Sequence, residues 1–170
     1  EINLPIQNSE MGGQFSMHMW TSITVGFIFA FPFILWEIWK FISPALYEKE
    51  KKYAASFIII SSFLFFVGVL FGYYLIAPLS VQFFASYIVS PEISNSIDID
   101  SYISLRKTSA IASGLLFELP IIIFFLSKMG LVNPEFLRKY RKYALVIVLI
   151  LSAIITPPDV ISQVIVAIPI

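Results

Sequence analysis

Glu118 stands inside an apolar stretch, in the run Gly114-Leu115-Leu116-Phe117-Glu118-Leu119-Pro120. An ionised acid at the centre of a bilayer costs about 3 kcal/mol even on lenient insertion scales, so such a residue must face a bundle interior or a wet cavity. Membrane-embedded acids are functional by default, and the chemistry here is open: proton relay, ion ligand or contact for a partner helix, with a structural hydrogen bond as the alternative. Pro120 has no N–H, which removes the helical bond to the Leu116 carbonyl and predicts a kink.

Two further groups of residues could carry function. The segment Trp39-Lys40-Phe41-Ile42-Ser43-Pro44-Ala45-Leu46-Tyr47-Glu48-Lys49-Glu50-Lys51-Lys52 sets apolar side chains and two carboxylates among lysines. A carboxylate beside an apolar patch suits a peptide carrying arginine next to apolar residues, since carboxylate and guanidinium pair bidentately. The alternative is an interfacial turn with a solvated charge run. Near the other end, Thr156, Asp159 and Gln163 follow one another at roughly helical spacing. Asp159 can cap a helix beginning at Val160, and Gln163 can hydrogen-bond a neighbouring helix.

Other chemistries lack their parts. His18 is the only histidine, so a two-histidine metal site is excluded, and with no cysteine there is no thiolate or disulfide. Asp98 and Asp100 lack the further oxygen ligands of a calcium loop. There is no serine–histidine–acid context for a hydrolase and no glycine-rich phosphate loop. A formal net charge of zero gives no bulk attraction for nucleic acid. Neither a metal, a cofactor nor an enzymatic role is expected.

The elements that must position these residues are membrane helices. Apolar residues make up 58% of the chain and charged residues 13%, and the mean hydropathy is +0.87. The apolar residues fall in long uncharged runs without the alternation a transmembrane barrel requires. The expected fold class is all-α, a polytopic transmembrane helical bundle forming one domain. Spans are predicted over about 19–36, interrupted by Pro32; 53–77, closed by Pro78; 108–127; and 143–155, with 160–170 the start of a fifth. The stretch 143–155 is too short for a full crossing, and the turn Thr156-Pro157-Pro158-Asp159 makes it half of a short hairpin.

Sidedness follows from the basic residues. Lys40, Lys49, Lys51 and Lys52 lie between the first two spans, and Lys128, Arg138, Lys139, Arg141 and Lys142 between the third and fourth; only Arg106 and Lys107 fall opposite. The segments 37–52 and 128–142 are therefore expected to be cytoplasmic and 1–18 external. With an external start, a preceding span is expected. Trp20, Trp36, Trp39, Tyr53, Tyr87, Tyr102 and Tyr143 stand where an aromatic belt would be.

Taken in order, Phe41-Ile42-Ser43-Pro44-Ala45-Leu46-Tyr47-Glu48-Lys49-Glu50-Lys51-Lys52, Phe117-Glu118-Leu119-Pro120, Met129-Gly130, Leu137-Arg138-Lys139, Thr156-Pro157-Pro158-Asp159, Ser162-Gln163 and Ala167-Ile168-Pro169 resemble TatC, the multi-spanning receptor family of the twin-arginine translocase. The resemblance implies six spans with both ends cytoplasmic, of which those drawn here would be the second to sixth. It implies a non-enzymatic receptor in the bacterial cytoplasmic membrane, working without a cofactor. Its partners would be twin-arginine signal peptides of folded cargo, single-span proteins of the TatA and TatB type, and further copies of itself. By position, Phe41, Pro44, Leu46, Tyr47 and Glu50 would bind the signal peptide, Glu50 facing arginine. Glu118 would be the family's membrane-embedded acid, and Thr156, Asp159 and Gln163 would receive partner helices. Arg106 and Lys107 depart from the family, which is apolar or polar there. A rival reading is an ion- or proton-coupled secondary transporter using Glu118, although internal repeats and paired broken helices are missing. An intramembrane protease would need a second membrane acid or a serine–histidine pair.

Overall fold

A computed structural model describes residues 6–45, 54–88, 97–128, 130 and 132–155. The described elements are almost all helical: α1 (Gly13–Ile42), α2 (Ala54–Phe71), α3 (Ala77–Ser86), α4 (Ile99–Phe117), α5 (Leu119–Lys128) and α6 (Pro134–Ile155). Two short strands, β1 (Ile6–Gln7) and β2 (Ile97–Asp98), pair in parallel, Ile6 opposite Ile97 and Gln7 opposite Asp98. Among the described residues, three helical stretches are long and apolar enough to cross a membrane: Gly13–Ile42, Ala55–Ser86 and Ile99–Lys128.

Each of these runs past the apolar window that marks it in the sequence. Backbone hydrogen bonding need not stop where the hydrocarbon does, and interfacial residues continue a helix at little cost. Thus α1 carries on through Trp39 to Ile42 and ends in a 3-10 turn, Ser43–Ala45. It also passes Pro32 without a break, as membrane helices do when neighbouring groups re-satisfy the freed carbonyl. The apolar stretch 143–155 belongs to a 22-residue helix that begins at Pro134, so Arg138–Lys142 lie on helix rather than loop.

Pro78 does not end its helix. A π-helical turn, Gly72–Ile76, joins α2 to α3, and the Ala77 N–H reaches back to the Gly72 carbonyl. The wider turn relieves the clash that the proline ring would make with the preceding turn. Pro78 then sits in the first turn of α3, where a missing N–H costs nothing. The predicted kink at Pro120 takes a sharper form: the helix breaks at Glu118, and Pro120 lies in the first turn of α5.

Packing is inverted relative to a water-soluble domain. Ser61, Ser80, Ser109, Ser113 and Ser152 are fully buried, while Phe15, Phe29, Phe33 and Phe63 are mostly exposed. Small side chains let helices approach in a solvent as apolar as their own surfaces. Between α2 and α4 the approach is backbone to backbone: a Cβ on Gly68 would lie 2.8 Å from the Gly114 Cα, and one on Gly72 would strike the Ser109 carbonyl. The largest core cluster joins α1 to α2, with Phe31 stacked on Phe65 at 3.6 Å between ring centroids.

Where α1 and α4 begin, polar contacts replace apolar ones. Asp98 caps α4, one carboxylate oxygen accepting from the Asp100 N–H at 3.2 Å. The other accepts from the Ser9 N–H at 3.2 Å and the Ser9 hydroxyl at 3.1 Å. This clasp ties the segment before α1 to the start of α4.

Candidate functional site

Glu118 owes its position to the break between α4 and α5. Its N–H donates to the Leu115 carbonyl at 3.2 Å and its carbonyl accepts from the Ile122 N–H at 3.0 Å, so the backbone is satisfied through the turn. The side chain is not. The residue is 5% exposed, and Glu118 Oε1 has no hydrogen-bond partner among the described residues. Ser61 of α2 faces the carboxylate, yet its hydroxyl is also without a partner within bonding distance.

The acid borders a cavity of about 400 Å³. Phe31, Leu35 and Trp39 of α1 form one wall, Phe57 of α2 and Phe125 of α5 the other. Trp39 meets Phe125 edge-on at 5.1 Å, and Phe57 lies 4.8 Å from Phe125, so the wall near the Ile42 end is aromatic. Glu118 is the one ionisable side chain among the described lining residues. Such a site offers apolar area plus a single strong acceptor, which suits an apolar segment presenting one donor.

The other expected site residues are less gathered. Phe41 is 86% exposed at the end of α1, and Pro44 is exposed in the 3-10 turn after it. They lie beyond Ile42, which borders the cavity, but do not line it. Leu46, Tyr47, Glu50, Thr156, Asp159 and Gln163 fall outside the described residues. Of the three expected site residues that are described, Glu118 alone is buried beside a cavity.

Sequence reasoning missed the cavity's walls. Trp39 reads as a belt residue and Phe57 and Phe125 as filler, and nothing local signals that the three rings converge. It also had no role for Arg106. The guanidinium stacks over Tyr73 at 4.6 Å and over Tyr102 at 5.2 Å, and Nη1 donates to the Tyr73 hydroxyl at 3.2 Å. Tyr102 lies one turn before Arg106 and was legible as an i, i+4 pair; Tyr73 sits in the π turn and was not.

Three helical stretches long enough to cross a bilayer, a largely apolar exterior, buried serines and an interior acid define an integral membrane protein of the helical-bundle class. Residues 3–169 match the family described as Sec-independent protein translocase protein (TatC). Proteins named Sec-independent protein translocase protein TatC are similar throughout: that of Blattabacterium sp. subsp. Periplaneta americana is 45% identical over 98% of this chain and 63% of its own length. That of Desulforapulum autotrophicum is 41% identical over 91% and 57%, and that of Halalkalibacterium halodurans 35% identical over 98% and 66%. A crystal structure of the twin arginine translocase receptor TatC in DDM superposes with a TM-score of 0.80 at 36% identity, covering 98% of this chain and 74% of that one. The chain belongs to the TatC family, and it spans less than two thirds of the length of these curated relatives.

Proposed function

We propose that this chain forms most of a receptor and core subunit of a twin-arginine translocase in the bacterial cytoplasmic membrane, with a transport role rather than a catalytic one. The observation that carries the reading is the likeness, over nearly the whole chain, to solved twin arginine translocase receptors. The two lysine- and arginine-rich segments face the cytoplasm, as their charge bias requires. Phe41, Pro44, Leu46, Tyr47 and Glu50 capture the signal peptide: apolar residues take its apolar part and Glu50 pairs with an arginine. The exposure of Phe41 and Pro44 at the end of α1 supports this assignment. Single-span partners of the TatA and TatB type dock at Thr156, Asp159 and Gln163. Glu118 waits in its apolar cavity for a polar group on an entering helix.

A photocrosslinker at Phe41 or Glu50 in the full-length protein tests the receptor reading. It captures a twin-arginine signal peptide and loses it when both arginines become lysines, because a lysine ammonium cannot make the bidentate pair. Equal capture of the two peptides sinks the proposal. Glu118 Oε1, without a partner among the described residues, favours one rival, an ion-coupled transporter: solute uptake by proteoliposomes that Glu118→Gln abolishes would establish it instead.

A further inference from the structure

A second cavity, of about 360 Å³, lies toward the Gly13 end of α1, between that helix, α2, the π turn and α4. Most of its lining is apolar, including Val25, Ile28, Val69 and Leu70. Its polar groups concentrate at one end, where two of them are buried without partners among the described residues: Thr21 Oγ1 and Arg106 Nε. Lys107 lines the same cavity. Neither cation has a carboxylate within 4 Å among the described residues. Arg106 is nonetheless held in place by its two tyrosines, so its charge is oriented but not neutralised.

The depth is informative. From Lys107 to Lys128 the chain runs 21 residues, with Glu118 the one charge between them. At 1.5 Å per residue that is roughly 31 Å, close to the thickness of a hydrocarbon core. Arg106 and Lys107 thus sit at one hydrocarbon boundary, the level of phospholipid phosphates. The ligand that matches oriented cations and an orphan hydroxyl at this depth, with an apolar channel beneath, has acceptor oxygens on an acyl chain.

We infer that this cavity holds one anionic phospholipid, its phosphate on Arg106 and Lys107 with a bond from Thr21, and an acyl chain between α1 and α2. In the orientation proposed above, the lipid belongs to the outer leaflet. An anionic headgroup is favoured over a zwitterionic one because two cations line the cavity and no carboxylate among its described lining residues is at hand to receive an ammonium.

Native mass spectrometry of the full-length protein, given phosphatidylglycerol or phosphatidylcholine of matched acyl chains, tests this. One phosphatidylglycerol is retained with about tenfold preference, as expected for two cations at a headgroup surface. Replacing both Arg106→Gln and Lys107→Gln removes the preference. Val25→Trp keeps both cations but fills the channel from an exposed position, and it lowers retention of phosphatidylglycerol while the thermal melting of the protein is unchanged. Equal retention of the two lipids, or a preference surviving the double substitution, overturns the inference. Displacement of phosphatidylglycerol by inorganic phosphate alone also overturns it, in favour of a small-anion site.

Discussion

The two cavities that flank α1 differ little in volume, about 400 and 360 Å³, and share that helix as a wall. Their ionisable groups are of opposite type, an acid in one and bases in the other. Toward Ile42 the wall residues are aromatic and the lone ionisable group is Glu118; toward Gly13 they are aliphatic and threonine-rich, with Arg106 and Lys107 at the mouth. The depths differ too. Glu118 lies about midway along the chain between Lys107 and Lys128, where no lipid headgroup reaches, so an occupant that satisfies it must bring a donor into the bilayer. Arg106 lies at the boundary, where lipid phosphates supply acceptors. One bundle therefore leaves two unsatisfied polar groups of opposite kind, an acid that only a protein segment or proton can satisfy and bases that lipid can.

Both cavities depend on the tight approach of α2 to α4, and the largest expected effect comes from opening it. Gly72→Leu drives a side chain into the Ser109 carbonyl and the Ala110 Cα, and destabilisation of about 3 kcal/mol is expected. Thermal unfolding in detergent should show it, together with loss of phospholipid retention. A smaller effect should follow from Phe31→Ala, which removes the ring stacked on Phe65. Lipid is as apolar as the core it replaces, so the cost is lost packing rather than lost burial, about 2 kcal/mol. This substitution enlarges the Glu118 cavity, and because Ile28 and Val69 of the Arg106 cavity pack against the same core cluster, retention of phosphatidylglycerol in the same protein measures how far the two are coupled.

Glu118→Leu should act in the opposite direction. A buried carboxylate oxygen without a partner burdens the fold, and an apolar residue of similar size relieves it, with a gain of about 1 to 2 kcal/mol in unfolding measurements. Export of a twin-arginine reporter should fall at the same time. A variant that is more stable and equally active would show that the acid is structural, and the contrast between the two cavities would lose its functional half.

How much of this was legible depends on the range of the interactions. Membrane helices and the isolation of Glu118 come from composition and from where charge is missing, which are local properties. The break at Glu118 follows from Pro120 by one missing N–H. Pro78 misleads because the same local rule predicts a stop, whereas the chain widens one turn at Gly72–Ile76 and continues. Whether a proline ends, kinks or merely widens a helix is settled by what packs beside it, here the Ser109–Ala110 backbone against Gly72. The cavity walls were hidden for a similar reason. Trp39, Phe57 and Phe125 are far apart in sequence, and an aromatic residue facing lipid looks the same on the page as one facing a cavity. Of the expected signal-peptide and partner residues, Phe41 and Pro44 have described surroundings, and their exposure is compatible with a surface that binds in water or at the interface.

The clasp at Asp98 supplies the gentlest probe of the comparison, because it braces the helix starts above the basic cavity and does not touch the acidic one. Burial alone would raise the Asp98 pKa, but hydrogen bonds from the Ser9 hydroxyl and the backbone N–H groups of Ser9, Asp100 and Ser101 outweigh it and hold the group below its ordinary 3.8. A carboxyl whose folded pKa is depressed adds stability that is fully present above the unfolded value and is lost as pH falls through the folded one. The clasp should therefore be indifferent to pH near neutrality and loosen only in acid, below about pH 4. Amide exchange at Ser9 and Asp100, followed as pH is lowered, should accelerate beyond its intrinsic pH dependence in that window, and Asp98→Asn should weaken the effect while keeping an acceptor for the cap. Loosening near pH 7 would mean that another group governs this end of the bundle.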